Sequence, residues 1–193
     1  MVNSISAFEY VTILISIILG LGITQILSSL AEILYDYRQV KFFWVHTIWV
    51  LLILYIHIQE WFVLYEMKDY SSWKLPVFLF VLLYPITLYL AAKMLFPVIS
   101  KGQQVDLKFF FLGNYRPLYL LLLICILLSL IFNIWLLNID IEKQSFLFVL
   151  FIITSVLLLR KRLTIQVHSI FAVILLIFAV ASIILEQNNW AIK

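Results

Sequence analysis

Pro117–Asn138 reads PLYLLLLICILLSLIFNIWLLN, a run without a single Asp, Glu, Lys or Arg. An α-helix rises 1.5 Å per residue, so about 20 apolar residues cross the roughly 30 Å hydrocarbon core of a bilayer. This segment has that length and that polarity. Working outward from it, comparable runs occupy 8–34, 43–65, 75–97, 145–160 and 164–186. The chain therefore reads as all-α, a polytopic transmembrane helix bundle of six spans. The fifth span is the shortest, because its apolar run Ser145–Leu159 covers only about 22 Å at helical rise. It must borrow flanking residues, thin the bilayer or sit obliquely, and five spans plus one interfacial helix is the alternative.

Composition agrees. Of 193 residues 65% are hydrophobic and 12% charged, with a mean hydropathy of +1.13, far from the roughly one-quarter charged usage of soluble domains. Apolar runs fill the whole length, so 1–193 reads as one transmembrane domain. Within it, 1–100 is a polar-lined three-helix half, 101–116 an amphipathic cytoplasmic loop and 117–193 an apolar three-helix half. The opening MVNSISAFEY lacks the basic start of a signal peptide and is expected to stay attached as the first span. The single cysteine, Cys125, lies in mid-span, which excludes a disulfide framework and a thiolate metal site.

The net charge of +3 follows topology and gives no reason to expect nucleic acid as a partner. Alternate loops differ: Arg38, Lys41, Lys101, Lys108, Arg116, Arg160, Lys161 and Arg162 share one side, against Lys68, Lys74, Lys143 and Lys193 on the other. The second side also holds Glu9, Glu66, Asp69, Asp140, Glu142 and Glu186. Basic loops stay in the cytoplasm, so both termini are expected on the non-cytoplasmic face. Tyr35, Tyr37, Phe42 and Trp44 then mark the inner interface and Trp61, Tyr65, Tyr70 and Trp73 the outer one.

Polar residues concentrate in the first half. At 100° per residue, Gly22, Gln25, Ser29 and Glu32 share one stripe of the first span, and Ser16, Gly20, Thr24 and Ser28 form a small-residue stripe beside it. Small residues let helices approach closely in lipid, so the second stripe is read as a packing face and Leu at Gly20 is expected to disrupt it. The remaining arc, Ile15, Leu19, Ile23, Ile26 and Leu30, is aliphatic. The second span places His46, Ile53, His57 and Glu60 on one face. Ionisable groups at such depth cost roughly 2.5–3.5 kcal/mol on insertion scales and face protein or water. The plain account is a neutral core histidine with a carboxylate reaching outward. The functional account is a titrating pair, His57 and Glu60, meeting Gln25, Tyr84 and Tyr89 around a polar cavity open to the outer side, a binding or permeation site beside the kink expected at Pro85. Glu32 and Lys93 lie at similar depth, so an ion pair is allowed, with snorkelling of each the simpler account.

Phe8-Glu9-Tyr10-Val11, the run Leu14–Thr24, Trp44-Val45-His46, Tyr84-Pro85, Phe96-Pro97 and Asp106-Leu107 together resemble a widespread set of small multi-pass bacterial proteins without an assigned activity. The resemblance extends from the start of the chain to about Tyr115 and implies the bacterial inner membrane, but no mechanism. The expected role is non-enzymatic: a channel, a small transporter or a membrane effector of the kind used in phage defence, with the lipid bilayer and a second copy of the chain as partners. Two other readings stand beside it. One is a b-type haem protein ligated by His46 and His168, which share a depth near the cytoplasmic edge but leave His57 without a histidine partner. The other is a membrane-embedded enzyme using Glu32, His46, His57 or Glu60 as acid or base, for which no nucleophile, zinc motif or paired-aspartate signature speaks.

Overall fold

Ser6 begins the first helix with a reciprocal cap: its Oγ accepts from the Glu9 amide at 3.1 Å and the Glu9 carboxylate accepts from the Ser6 amide at 2.7 Å. Two orphan amides are satisfied before the apolar run starts. In the computed structural model, which describes residues 6–70, 72–99 and 104–185, that cap opens α1 (Ala7–Tyr35). It is followed by α2 (Trp44–Tyr65), α3 (Leu75–Met94), α4 (Leu107–Trp135), α5 (Ser145–Leu159) and α6 (Ile165–Leu185). All six are long and apolar enough to cross a membrane, α5 once the 3-10 turn Ile141–Gln144 that leads into it is included. The protein is an all-α, multi-pass membrane bundle. Glu186, Lys101 and Lys193 lie outside the described residues.

α3 lies at the centre, packed against α1, α2 and α4, while α5 leans on α4 and α6 on α2. Pro85 sits inside α3 and denies an amide to the Val81 carbonyl, yet the helix continues, and Thr87 returns its hydroxyl to the Leu83 carbonyl at 2.7 Å. The buried face of α1 is Val11, Ile15, Leu19, Gly22, Ile26 and Ser29, a spacing of three and four residues that keeps one stripe on its neighbours. This corrects the packing face expected from composition. Gly20 has open space where a side chain would stand, and Thr24 and Ser28 are exposed. The arc of Ile15, Leu19 and Ile26 is what packs, because interdigitated aliphatic side chains fill the space to α3 better than small ones do.

One further expectation changes. Of the segment 101–116, Leu107–Arg116 is not loop but the first turns of α4, which at 29 residues is about 43 Å long. The Asp106 carboxylate caps it, accepting from the amides of Lys108 and Phe109 at 3.0 and 3.1 Å. Leu107, Phe111 and Tyr115 give these turns a buried face, and Val40–Lys41 pairs in parallel with Val105–Asp106 to tie the segment to the α1–α2 connection. Helix α5, for its part, crosses alongside α4 and is held at both ends. Asn133 donates to Gln144 at 2.9 Å at one end, and Arg116 donates to the carbonyls of Arg160 and Lys161 at 3.1 and 2.8 Å at the other. The stretch of α4 between those ties is about 25 Å long, and with the 3-10 turn the fifth candidate span, Ile141–Leu159, has 19 residues.

Candidate functional site

His57 stands three residues before Glu60 on α2, and the two side chains leave the helix about 60° apart. The small difference separates them. His57 is 1% exposed and turns to α1, where its ring covers Gly22 so closely that an added Cβ there would run into Nε2. Its Nδ1 donates to the Ile53 carbonyl at 2.7 Å, which makes Nε2 the acceptor nitrogen, and Nε2 has no hydrogen-bond partner among the described residues. Gly22 is therefore the residue that lets α1 and α2 meet at this level.

Glu60 turns the other way, into a chamber of about 660 Å³ bounded by α2, α3, α4, α5 and α6. Tyr84, Gln59, Ser129 and Asn133 join it on the walls. Counting along α2, this group lies towards the end that carries Lys68 and Lys74, away from the basic loops. Tyr55 and Ser182 also line the chamber and share a hydrogen bond of 2.7 Å that links α2 to α6. Most of the remaining wall is aliphatic and aromatic, with Leu52, Ile56, Leu122, Leu150, Leu175 and Phe178 as examples.

The expected site thus divides. Glu60 and Tyr84 come together in the chamber, whereas His57, Gln25 and Tyr89 lie outside its walls. Gln25 instead bridges within α1 and across to α3, donating to Ser29 at 2.8 Å and accepting from Lys93 at 3.1 Å. Lys93 is therefore bonded to Gln25 rather than to Glu32, which is exposed. Here α1 packs directly on α2 and α3, and at the level of Gly22 the His57 ring fills the space between α1 and α2. The second half of the chain, read as the apolar half, supplies three of the five walls.

The histidines suggested as haem ligands have separate commitments. His46 Nε2 donates to the Leu95 carbonyl at 2.7 Å, and its ring meets Phe96 edge-on. His168 is fully buried, with Nδ1 at 2.8 Å from the Tyr119 hydroxyl and its ring against Phe111, Tyr115 and Tyr119. Ligating an iron through His46 Nε2 would break the bond to Leu95, whereas His168 Nε2 has no hydrogen-bond partner among the described residues. Among the described residues no cluster of three His, Cys, Asp or Glu is placed to hold a metal ion.

Composition hid the chamber's polar lining. Ser129, Asn133, Thr154 and Ser182 are dispersed among apolar runs of α4, α5 and α6, and only the helix packing gathers them. No family model matches the sequence, and no curated protein or solved structure matches it either.

Proposed function

We propose that this chain is a non-enzymatic protein of the bacterial inner membrane that takes an amphipathic ligand into the chamber between α2 and α6, acting as a small transporter or a membrane effector. The observation that carries the reading is the chamber. Its volume of about 660 Å³ falls within the few hundred to about a thousand Å³ of small-molecule sites. It is apolar over most of its wall, and among the described residues Glu60 is the single charged one that lines it. Such a lining suits a molecule with a long apolar body and a polar head. A channel through the first three helices has less support, because Glu60 and Tyr84 turn into the chamber, Gln25 is bonded to Ser29 and Lys93, and His57 is buried against Gly22.

The orientation proposed is N-out and C-out. The loops that hold Arg38, Lys41, Lys108, Arg116 and Arg160–Arg162 share one end of the bundle, joined by the short strand pair and by the Arg116 bonds. With that end in the cytoplasm, the Glu60 end of the chamber faces outward. The test is to extract the protein in nanodiscs directly from its own membrane and compare the compounds it retains with those of the surrounding bilayer. One compound class should be enriched, and Ser129→Trp, which fills the chamber from α4, should lose it. Identical profiles for the bilayer, the wild type and the variant would overturn the proposal.

A further inference from the structure

We infer that the Glu60 end of the chamber is a site for an organic cation, a protonated amine borne on an apolar body, with the Glu60 carboxylate as its counter-charge. The inference rests on the reading of the chamber as a ligand compartment, and it names the head group that the ligand brings there.

Glu60 differs from the other acids of the chain. Every other described Asp or Glu is exposed or stands at a helix end, as Asp106 does where it caps α4. Glu60 is half-buried inside α2 and lines the chamber. Its carboxylate has no hydrogen-bond partner and no ion pair among the described residues. Its oxygens are nevertheless not closed off, as the unpaired Trp49 Nε1 and Thr154 Oγ1 are. What the charge reaches gives its direction: it lies within electrostatic range of Tyr84 on α3 and Cys125 on α4, both on the chamber wall. Ionisable groups inside a span are costly and meet a partner, so an accessible, unpaired carboxylate facing a chamber marks the place of one.

The charge of that partner follows from the walls. No Lys, Arg or His is among the described residues that line the chamber. The lysines beyond this end are placed elsewhere: Lys143 pairs with Asp140 at 2.9 Å, Lys68 lies over the Tyr65 ring at 4.7 Å and Lys74 is exposed. The counter-charge must therefore come with the ligand. A metal ion does not suit the place, since among the described residues no three His, Cys, Asp or Glu gather to replace its hydration shell. An ammonium does, because a carboxylate accepts its N–H groups and aromatic faces attract its charge. Phe80, one turn from Tyr84, and Phe132, about one turn from Ser129, bring aromatic rings to the same chamber. A zwitterionic phospholipid is disfavoured, for its phosphate would enter beside Glu60 with no cation on the walls to meet it. The ligand is a net cation whose remainder is apolar, matching the aliphatic and aromatic wall.

The test uses purified protein in phosphatidylcholine nanodiscs and three photoreactive diazirine probes that differ only at the end of one alkyl chain: a primary amine, an alcohol and a carboxylate. Cross-links are located by peptide mass spectrometry. Labelling of chamber-lining residues is divided by that of Ile13, Ile17 and Leu21, exposed on α1, so that partition into the bilayer cancels. In this ratio the amine should exceed the alcohol about tenfold, the worth of a hydrogen bond to a charged group, and the carboxylate should show no such excess. Glu60→Gln should remove the excess of the amine while the alcohol ratio stays level, reporting an intact chamber. If Glu60→Gln does not fold, the ranking of the three probes on the wild type decides alone. An amine ratio no higher than that of either control, or an excess that survives Glu60→Gln, overturns the cation site and leaves the chamber reading standing. Absence of chamber labelling by every probe overturns both.

Discussion

Gly22 and His57 show how one hydrogen in place of a methyl group sets the distance between two helices. The imidazole fills the space that a Cβ at position 22 would need, and its Nδ1 is tied to its own helix, so the ring has little freedom to withdraw. Gly22→Ala should therefore cost about 1–3 kcal/mol through overpacking, read as a lower unfolding temperature in detergent. His57→Ala added to it should recover part of the loss, since the colliding ring is gone, and strictly additive losses would count against the contact. The residue types were legible in the sequence, both the glycine beside Gln25 and the histidine at mid-span. That they belong to each other was not, because the pairing depends on how two helices are rotated against one another.

Helices raise a different question, that of which face packs. On α1 the small stripe of Ser16, Gly20, Thr24 and Ser28 had the stronger compositional signal, and the aliphatic face won. Gly20→Leu should accordingly leave folding intact, because nothing stands within 4 Å of where its Cβ would be. Ile26→Ala, at a fully buried position, should cost about 2–5 kcal/mol. Equal effects at the two sites in a thermal-shift assay would contradict the observed face. Helix α5 depends on its ends rather than its face, for only Thr154 and Leu157 of it are buried. Arg116→Ala removes the donor to two carbonyls at its end and should cost about 1 kcal/mol. It should also raise amide exchange in the last turn of α5 before it does so in α4.

At the scale of the molecule, the chamber and the charge asymmetry together make the protein directional. With the basic end inside, single cysteines placed at Lys108 or Lys161 in a Cys125→Ala background should resist an impermeant maleimide in intact cells, and one at Lys143 should react. The reverse pattern would invert every depth assigned to the chamber. Glu60→Gln keeps the shape of the outer end and removes its charge. It should reduce retention of the enriched compound without altering yield or unfolding temperature. Unchanged retention would mean that the carboxylate takes no part in recognition.

The amino-acid sequence by itself determined the number of spans, their approximate limits and the end that carries the basic loops. Each of these depends on a sum over many residues: hydropathy over a run, charge over a loop, length against a bilayer. The tertiary structure alone decided that Glu60 and His57 part company, that Gln25 serves Lys93 and Ser29, and that Trp49, Ser129, Thr154 and Ser182 share one chamber with Tyr84. The reason lies in the solvent. In water an apolar stripe marks the buried face of a helix, but lipid is as apolar as leucine. A membrane helix can therefore bury any of its sides, and which one it buries is settled by the fit of neighbouring side chains.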